Sequence, residues 1–209
     1  MNKQILILSG PTHEYIDPVR FIGNASSGLM GRALAEEAIR RGYTVDFVTG
    51  PVADQNLPDL GEQGRIHHVT SAAEMLAAAG DLFSAADIAI FTAAVADYAP
   101  AEKQSEKMAK SDADLVLRLR PTPDIAGTLC RGKQDHQTAI GFALQTSDGE
   151  AAARHKLESK KLDGIVLNTP ASLGAADGTF SFLHKGTASF EIWGRIDKHE
   201  CARRIFGAL

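Results

Sequence analysis

The feature that most constrains this chain is the run Ile5-Leu-Ile-Leu8, followed by a loop of small and polar residues and then by a helical apolar stripe. Side chains of a strand alternate between its two faces, so an unbroken aliphatic run reads as a strand buried on both. Leu29, Met30, Ala33, Leu34, Ala38 and Ile39 recur at the spacing of a helix with one apolar face, which Gly42 ends. Thr44-Val-Asp-Phe-Val-Thr49 is a second strand, closed by the turn signal Gly50-Pro51. A strand, a crossover helix and a second strand are how two parallel strands are joined.

The alternation continues. Arg65–Val69 is a short strand, and Ser71-Ala-Ala-Glu74 is a capping box opening a helix through Ala79. Asp87–Phe91, Thr138–Phe142 and Gly164–Asn168 are apolar strands, and Leu115–Leu119 has the same character. Pro121-Thr-Pro-Asp124 caps a short helix to Cys130, and further helices take 148–160 and 197–207. Thr179–His184 and Ala188–Trp193 flank a Lys-Gly-Thr turn as a hairpin. The expectation is an α/β chain: one Rossmann-like three-layer sandwich over 1–209, mostly parallel, with a C-terminal antiparallel hairpin. Residues 99–114 lack apolar periodicity, so a mobile lid loop is expected at about 100–114.

A net charge of −4 without any basic block argues against nucleic acid as partner. No stretch approaches the roughly 20 apolar residues that span a bilayer, so no membrane partner is expected. The chain enters a strand at once, with no charged-then-apolar leader, which predicts a cytoplasmic location. Cys130 and Cys201 lie far apart without metal-ligand spacing and read as buried free thiols. His67 and His68 are adjacent in a strand and point to opposite faces, so no metal ligands are assigned.

In open α/β sheets the ligand lies beyond the carboxyl ends of the strands. The loops that matter are therefore those after Leu8, Val48, Phe91, Phe142 and Asn168. Neither GxGxxG nor a Walker A sequence is present. Ser26, Ser27 and Gly28 stand at the helix entry, where unpaired backbone N–H groups suit a phosphate. Arg20 and Asn24 add side-chain donors that a mere cap does not need. Asp97 suits a ribose, a base or a metal ion, or equally a turn cap. Lys103, Lys107 and Lys110 are lid cations or plain surface charge. Lys156 and Lys160 share a helix face, and Phe142 stacks on a flat ring or belongs to the core. On the residues alone, this is a Rossmann-like domain for a phosphorylated ligand.

Several motifs together carry a resemblance: Ser9-Gly-Pro-Thr12, Ile16-Asp-Pro-Val-Arg-Phe-Ile22, Asn24 to Gly31, Ala93-Ala-Val-Ala-Asp-Tyr98 and Thr122-Pro-Asp-Ile125. Gly141-Phe142 and the Lys156/Lys160 pair extend it. The sequence resembles the phosphopantothenate–cysteine ligase (phosphopantothenoylcysteine synthetase) family of coenzyme A biosynthesis. In many bacteria that domain is fused behind a flavin-dependent decarboxylase; the resemblance implies the stand-alone form, without flavin. It implies that 4′-phosphopantothenate is activated by CTP, with Mg²⁺, to an acyl-nucleotidylate that cysteine then captures. It also implies a homodimer. By matching position, Asn24 and Lys107 are catalytic. Phe91, Thr92, Ala93, Asp97, Pro123, Asp124, Ile125, Ala126, Phe142, Lys156 and Lys160 bind the nucleotide. Arg20, Ser26, Ser27 and Gly28 bind the phosphopantothenate.

Three positions depart from the family's pattern, which often has lysine where Leu29 and Ala109 stand and glutamate where Gln145 stands. Two other readings make different demands. A nucleotide-binding module without ligase activity needs only the cleft. A short-chain-type oxidoreductase needs a GxxxGxG-like loop and Tyr-x-x-x-Lys, and Tyr15, Tyr43 and Tyr98 all lack that spacing.

Overall fold

The computed structural model describes residues 3–110, 112–144, 149–172 and 174–209. The strands are β1 (Gln4–Ser9), β2 (His13–Tyr15), β3 (Phe21–Gly23), β4 (Thr44–Thr49), β5 (Gly64–His68), β6 (Ile88–Phe91), β7 (Tyr98–Pro100), β8 (Leu119–Pro121), β9 (Thr138–Leu144), β10 (Gly164–Asn168), β11 (Asp177–His184) and β12 (Glu191–Asp197). The helices are α1 (Leu29–Arg40), α2 (Ala72–Phe83), α3 (Ile125–Cys130), α4 (Gly149–Ser159) and α5 (Lys198–Gly207). Eight strands form one sheet in the order β12-β11-β10-β9-β6-β1-β4-β5. The pairs from β5 through β10 are parallel, and β11 and β12 add on antiparallel, as expected.

The aliphatic run of β1 accounts for its central place. Ile5 and Ile7 point to one face, where they join Leu34 and Ala38 of α1 and Cys201 and Ile205 of α5. Leu6 and Leu8 point to the other, with Met75 and Ala79 of α2, Ile125 of α3, and Ala153 and Leu157 of α4. Two apolar layers thus sandwich the sheet, and each buried Leu, Ile or Met among them contributes about 1.5–3 kcal/mol. The chain runs outward from β1 to β4 and β5, then returns through α2 to β6 on the other side of β1. That reversal opens a crevice at the carboxyl ends of β1 and β6.

The entry to α1 is shaped by two glycines. Gly28 adopts φ 78°, the left-handed region that disfavours other residues. At Gly31 a Cβ would lie 2.0 Å from Ser9 Oγ, so only glycine lets the helix start sit on the end of β1.

Differences from the expected elements arise where pairing is non-local. The β2–β3 hairpin and the β7–β8 pair are too short to leave a periodic signal. Leu115–Leu119 is strand-like in sequence, yet the strand begins at Leu119, where Pro100 supplies a partner. Leu115, Val116 and Leu117 remain exposed, Val116 to 89%. Helix α2 runs past Ala79 to Phe83, because Phe83 is buried in the core.

Candidate functional site

A cleft of about 640 Å³ lies over the switch point. Its floor is the end of β1 (Leu8, Ser9, Gly10) and of β6 (Phe91), with Gly141 and Phe142 of β9 beside them. The loop 24–31 forms one wall, and the start of α3 with Lys156 and Lys160 forms another. Of the residues singled out above, Asn24, Ser26, Ser27, Gly28, Phe91, Thr92, Ala93, Asp97, Pro123, Asp124, Ile125, Ala126, Phe142, Lys156 and Lys160 all line this cleft. The loop after β4 does not, because β4 lies on the far side of β1 from the crevice.

Helix α1 begins without a side-chain cap and without an acidic residue in its first turn. Its first N–H groups therefore keep their positive end for an anion at Leu29 and Met30, which face the cleft. The loop before it is fastened at both ends. Ser9 Oγ donates to the Gly28 carbonyl at 3.3 Å, and Asn56 Nδ2 donates to the Ser27 carbonyl at 3.0 Å. Asn24 reaches across the crevice, and its Nδ2 donates to the carbonyls of Val95 at 2.9 Å and Ala94 at 3.3 Å.

The opposite wall is cationic. Lys160 Nζ is 2.7 Å from Asp124 Oδ1, which also accepts the Gly127 N–H at 3.1 Å and so caps α3. Burial pushes the Asp124 carboxyl up, but the Lys160 ammonium, the Gly127 N–H and the charge of Lys156 together hold it below the usual carboxylate range. Lys156 Nζ donates to the Phe142 carbonyl at 2.9 Å. Burial, reinforced by the neighbouring Lys160 charge, pulls the Lys156 pKa below that of an ordinary lysine; Asp124 and Asp97 oppose the shift. Asp97 is exposed on the cleft side and forms no ion pair among the described residues.

Arg20 and Lys107 are not brought into the cleft. Arg20 instead pairs with Asp17 and donates to the Met108 carbonyl at 2.7 Å, while Lys107 is exposed on the neighbouring segment. Leu29 lines the cleft and Ala109 is exposed, whereas Gln145 lies outside the described residues.

The sequence reading missed the far end of the cleft, formed by Ser172, Phe180 and Lys198. Lys198 is buried, its ammonium donating to the carbonyls of Ser172 and Ala175, and burial lowers its pKa. One signal was available. A lysine in the first turn of a helix opposes the helix dipole and calls for a tertiary reason.

Among the described residues no group of three or more His, Cys, Asp or Glu is placed to hold a metal ion. No helix among them is long and apolar enough to cross a membrane. Both cysteines are buried and free, and burial pushes the Cys130 thiol up to about 11.

Comparison with known proteins gives a consistent picture. The family model for the C-terminal domain of DNA/pantothenate metabolism flavoproteins matches residues 1–209. The coenzyme A biosynthesis bifunctional protein CoaBC of Bacillus subtilis (strain 168) is 44% identical over 176 residues, which are 84% of this chain and 42% of that protein. A protein named cysteine/cysteine sulfinic acid decarboxylase, from an unknown prokaryotic organism, is also 44% identical over 176 residues, 84% of this chain and 48% of the relative. This chain therefore spans less than half the length of these curated relatives. The crystal structure of the C-terminal domain of a CoaBC protein superposes with a TM-score of 0.82 at 37% identity, covering 99% of this chain and 93% of that one.

Proposed function

The chain belongs to the family of DNA/pantothenate metabolism flavoprotein C-terminal domains, and on that premise we propose that it is a ligase joining 4′-phosphopantothenate to L-cysteine, with CTP as the activating co-substrate. The observation that carries this is the facing of two unlike walls across one cleft. An uncapped helix start with Ser26, Ser27 and Asn24 stands opposite the Lys156, Lys160 and Asp124 cluster. A carboxylate is a poor electrophile and must be activated before an amine can displace anything from it. The first wall suits the anionic pantothenate derivative, and the second suits a triphosphate.

In this reading Phe91, Thr92, Ala93, Asp97, Phe142 and residues 123–126 hold the nucleoside. Lys156 and Lys160 face its phosphates. The substrate carboxylate attacks the α-phosphorus, pyrophosphate leaves, and the cysteine amine then displaces the nucleotide from the acyl carbon. Asn24 supplies a donor to the oxygen on that carbon by giving up the longer of its two bonds, the one to the Ala94 carbonyl. Lys107 comes onto the triphosphate when the segment 100–114 closes as a lid, and Arg20 holds the phosphopantothenate.

Mg²⁺ enters with the triphosphate. In the same reading Mg²⁺ keeps phosphate oxygens and water as its ligands, as it commonly does beside a triphosphate. The reading requires no flavin, no membrane and no nucleic acid, and it places the protein in the cytoplasm.

A homodimer belongs to the same proposal. Val19 and Phe21 on the β2–β3 hairpin and Tyr98 and Leu119 on the β7–β8 pair are exposed apolar side chains on adjoining small sheets, and Leu115–Leu117, in the segment leading into β8, are exposed as well. A second copy laid on this face buries them and brings Arg20 to the interface.

The deciding experiment is pyrophosphate release with 4′-phosphopantothenate, Mg²⁺ and each nucleoside triphosphate in turn, with and without cysteine. Release that needs phosphopantothenate and is fastest with CTP is expected. No release from folded protein with any nucleotide leaves the binding-module reading instead.

A further inference from the structure

The segment after β7 is gripped at one residue through both halves of its backbone. Met108 N–H donates to Asp17 Oδ2 at 3.2 Å, and the Met108 carbonyl accepts from Arg20 at 2.7 Å. Upstream, Gln104 N–H donates to the Ile16 carbonyl at 2.8 Å, and the Lys103 ammonium lies 5.5 Å from the centre of the Tyr15 ring.

Asp17 is fully buried in the turn between β2 and β3, and its two oxygens divide their work. Oδ1 accepts the N–H groups of Val19 and Arg20, both at 2.8 Å, which is all that the turn needs. Oδ2 accepts Arg20 Nε at 2.9 Å together with Met108 N–H. Burial favours the neutral acid, but these donors outweigh it and hold the carboxyl well below the usual range. A neutral side chain with one acceptor would close the turn equally well. The second oxygen serves Arg20 and, across ninety-one positions, the Met108 N–H, so it joins the turn to the segment that Arg20 also holds.

We propose that Asp17 is a positioning residue that clamps Met108, directly and through Arg20, and thereby fixes the pivot from which the adjacent Lys107 ammonium, outside the cleft in this structure, swings onto it. The proposal rests on the reading of Lys107 as a lid cation. It makes the Ile16–Ile22 stretch a hinge anchor for the lid as well as a site for substrate.

Asp17→Asn tests it by keeping one acceptor for the turn while replacing the other oxygen with an amide that cannot accept from Met108. Met108→Pro removes the N–H from the other side and leaves Asp17 and Arg20 in place, so it decides the question if the Asn variant fails to fold. Hydrogen exchange on the full chain is the first readout. Residues 103–110 should exchange faster in both variants, with β1 and β6 unchanged; unaltered exchange in that segment overturns the clamp. Pyrophosphate release is the second. Misplacing one catalytic group by about 1 Å can cost on the order of 10²-fold, and a loss approaching this in kcat is expected from Asp17→Asn. Added to Lys107→Gln, Asp17→Asn should cause no further loss in kcat, because both act on kcat through one ammonium, while any loosening of Arg20 is read separately as a rise in KM for phosphopantothenate. Losses in kcat that multiply in the double variant show that Asp17 acts elsewhere and overturn the proposal. If the unaltered chain releases no pyrophosphate, it is the ligase reading that fails, and the exchange result still decides whether Asp17 holds the segment.

Discussion

Asn24 donates its side-chain amide to the carbonyl of Val95 at 2.9 Å, joining the loop before α1 to the loop after β6. The two loops flank the switch-point crevice, so one side chain both spans the site and limits how far it can open. A residue expected to act on the acyl group is also a strap.

Asn24→Asp should therefore separate the half-reactions. Aspartate is ionised at neutral pH and cannot donate, and it would set a charge against the oxygens of Ala94 and Val95. In the proposed reaction, attack on the α-phosphorus takes place on the lysine side of the cleft and should persist. Capture by cysteine should fail for want of a donor to the developing oxyanion. The expected result is pyrophosphate release limited to about one turnover, with the acyl-nucleotidylate seen by mass spectrometry. Ordinary multiple turnover would reduce Asn24 to the strap alone.

Lys107→Gln should slow pyrophosphate release by about 10²–10³, the usual loss for one donor to a charge that builds in the transition state. Thermal unfolding should barely change, because Lys107 is exposed and buries nothing. A variant that releases pyrophosphate at the unaltered rate would transfer the role to Lys103 or Lys110.

The lowered pKa of Lys156 predicts a pH dependence of nucleotide binding. Its ammonium attracts phosphate only while protonated, so affinity should fall as pH rises toward its pKa. That fall should begin earlier than for an ordinary lysine, which titrates near about 10.4. Titrating CTP binding against pH checks this. In Lys156→Met the affinity should be lower throughout and the early alkaline decline absent; an identical decline in the variant would assign it to another group.

Asp124→Ala should cost about 1 kcal/mol of stability through loss of the α3 cap, read as a shift of the urea midpoint. The pH dependence has a definite sign. The carboxyl is lowered in the folded chain, so its contribution is present above the unfolded value of about 3.9 and is lost as pH falls through the folded one. The alanine variant should lack that part of the acid decline. It should also weaken CTP binding if Lys160 wanders without its partner. Unchanged stability at neutral pH would show that the cap is dispensable.

What the sequence determined by itself is what short-range periodicity can specify. The buried runs of β1, β4, β6 and β10, the stripe of α1 and the Ser71-Glu74 capping box are each dictated by residues within a few positions of one another, and all were legible. So were the loops after β1 and β6 as walls of the cleft, because the carboxyl ends of parallel strands converge whatever the loops contain, whereas Thr92, Ala93 and residues 123–126 were placed by the family resemblance. Only the tertiary structure decided where long-range partners lie. Leu115–Leu119 has the pattern of a strand, but a strand exists only where another offers its N–H and C=O groups, and the run is met at its end, by Pro100 beside Leu119 and by the Ala101 N–H on the Arg118 carbonyl. Lys198 enters the cleft because the β11–β12 hairpin folds α5 back onto the sheet. Asp17 finds Met108 across ninety-one positions, and Asn24 finds Val95 across seventy-one. Such contacts follow from strand order and loop closure, which are properties of the whole chain, so the partner cannot be read from the residues that make them even where, as at Lys198 and Asn24, the residue itself is conspicuous.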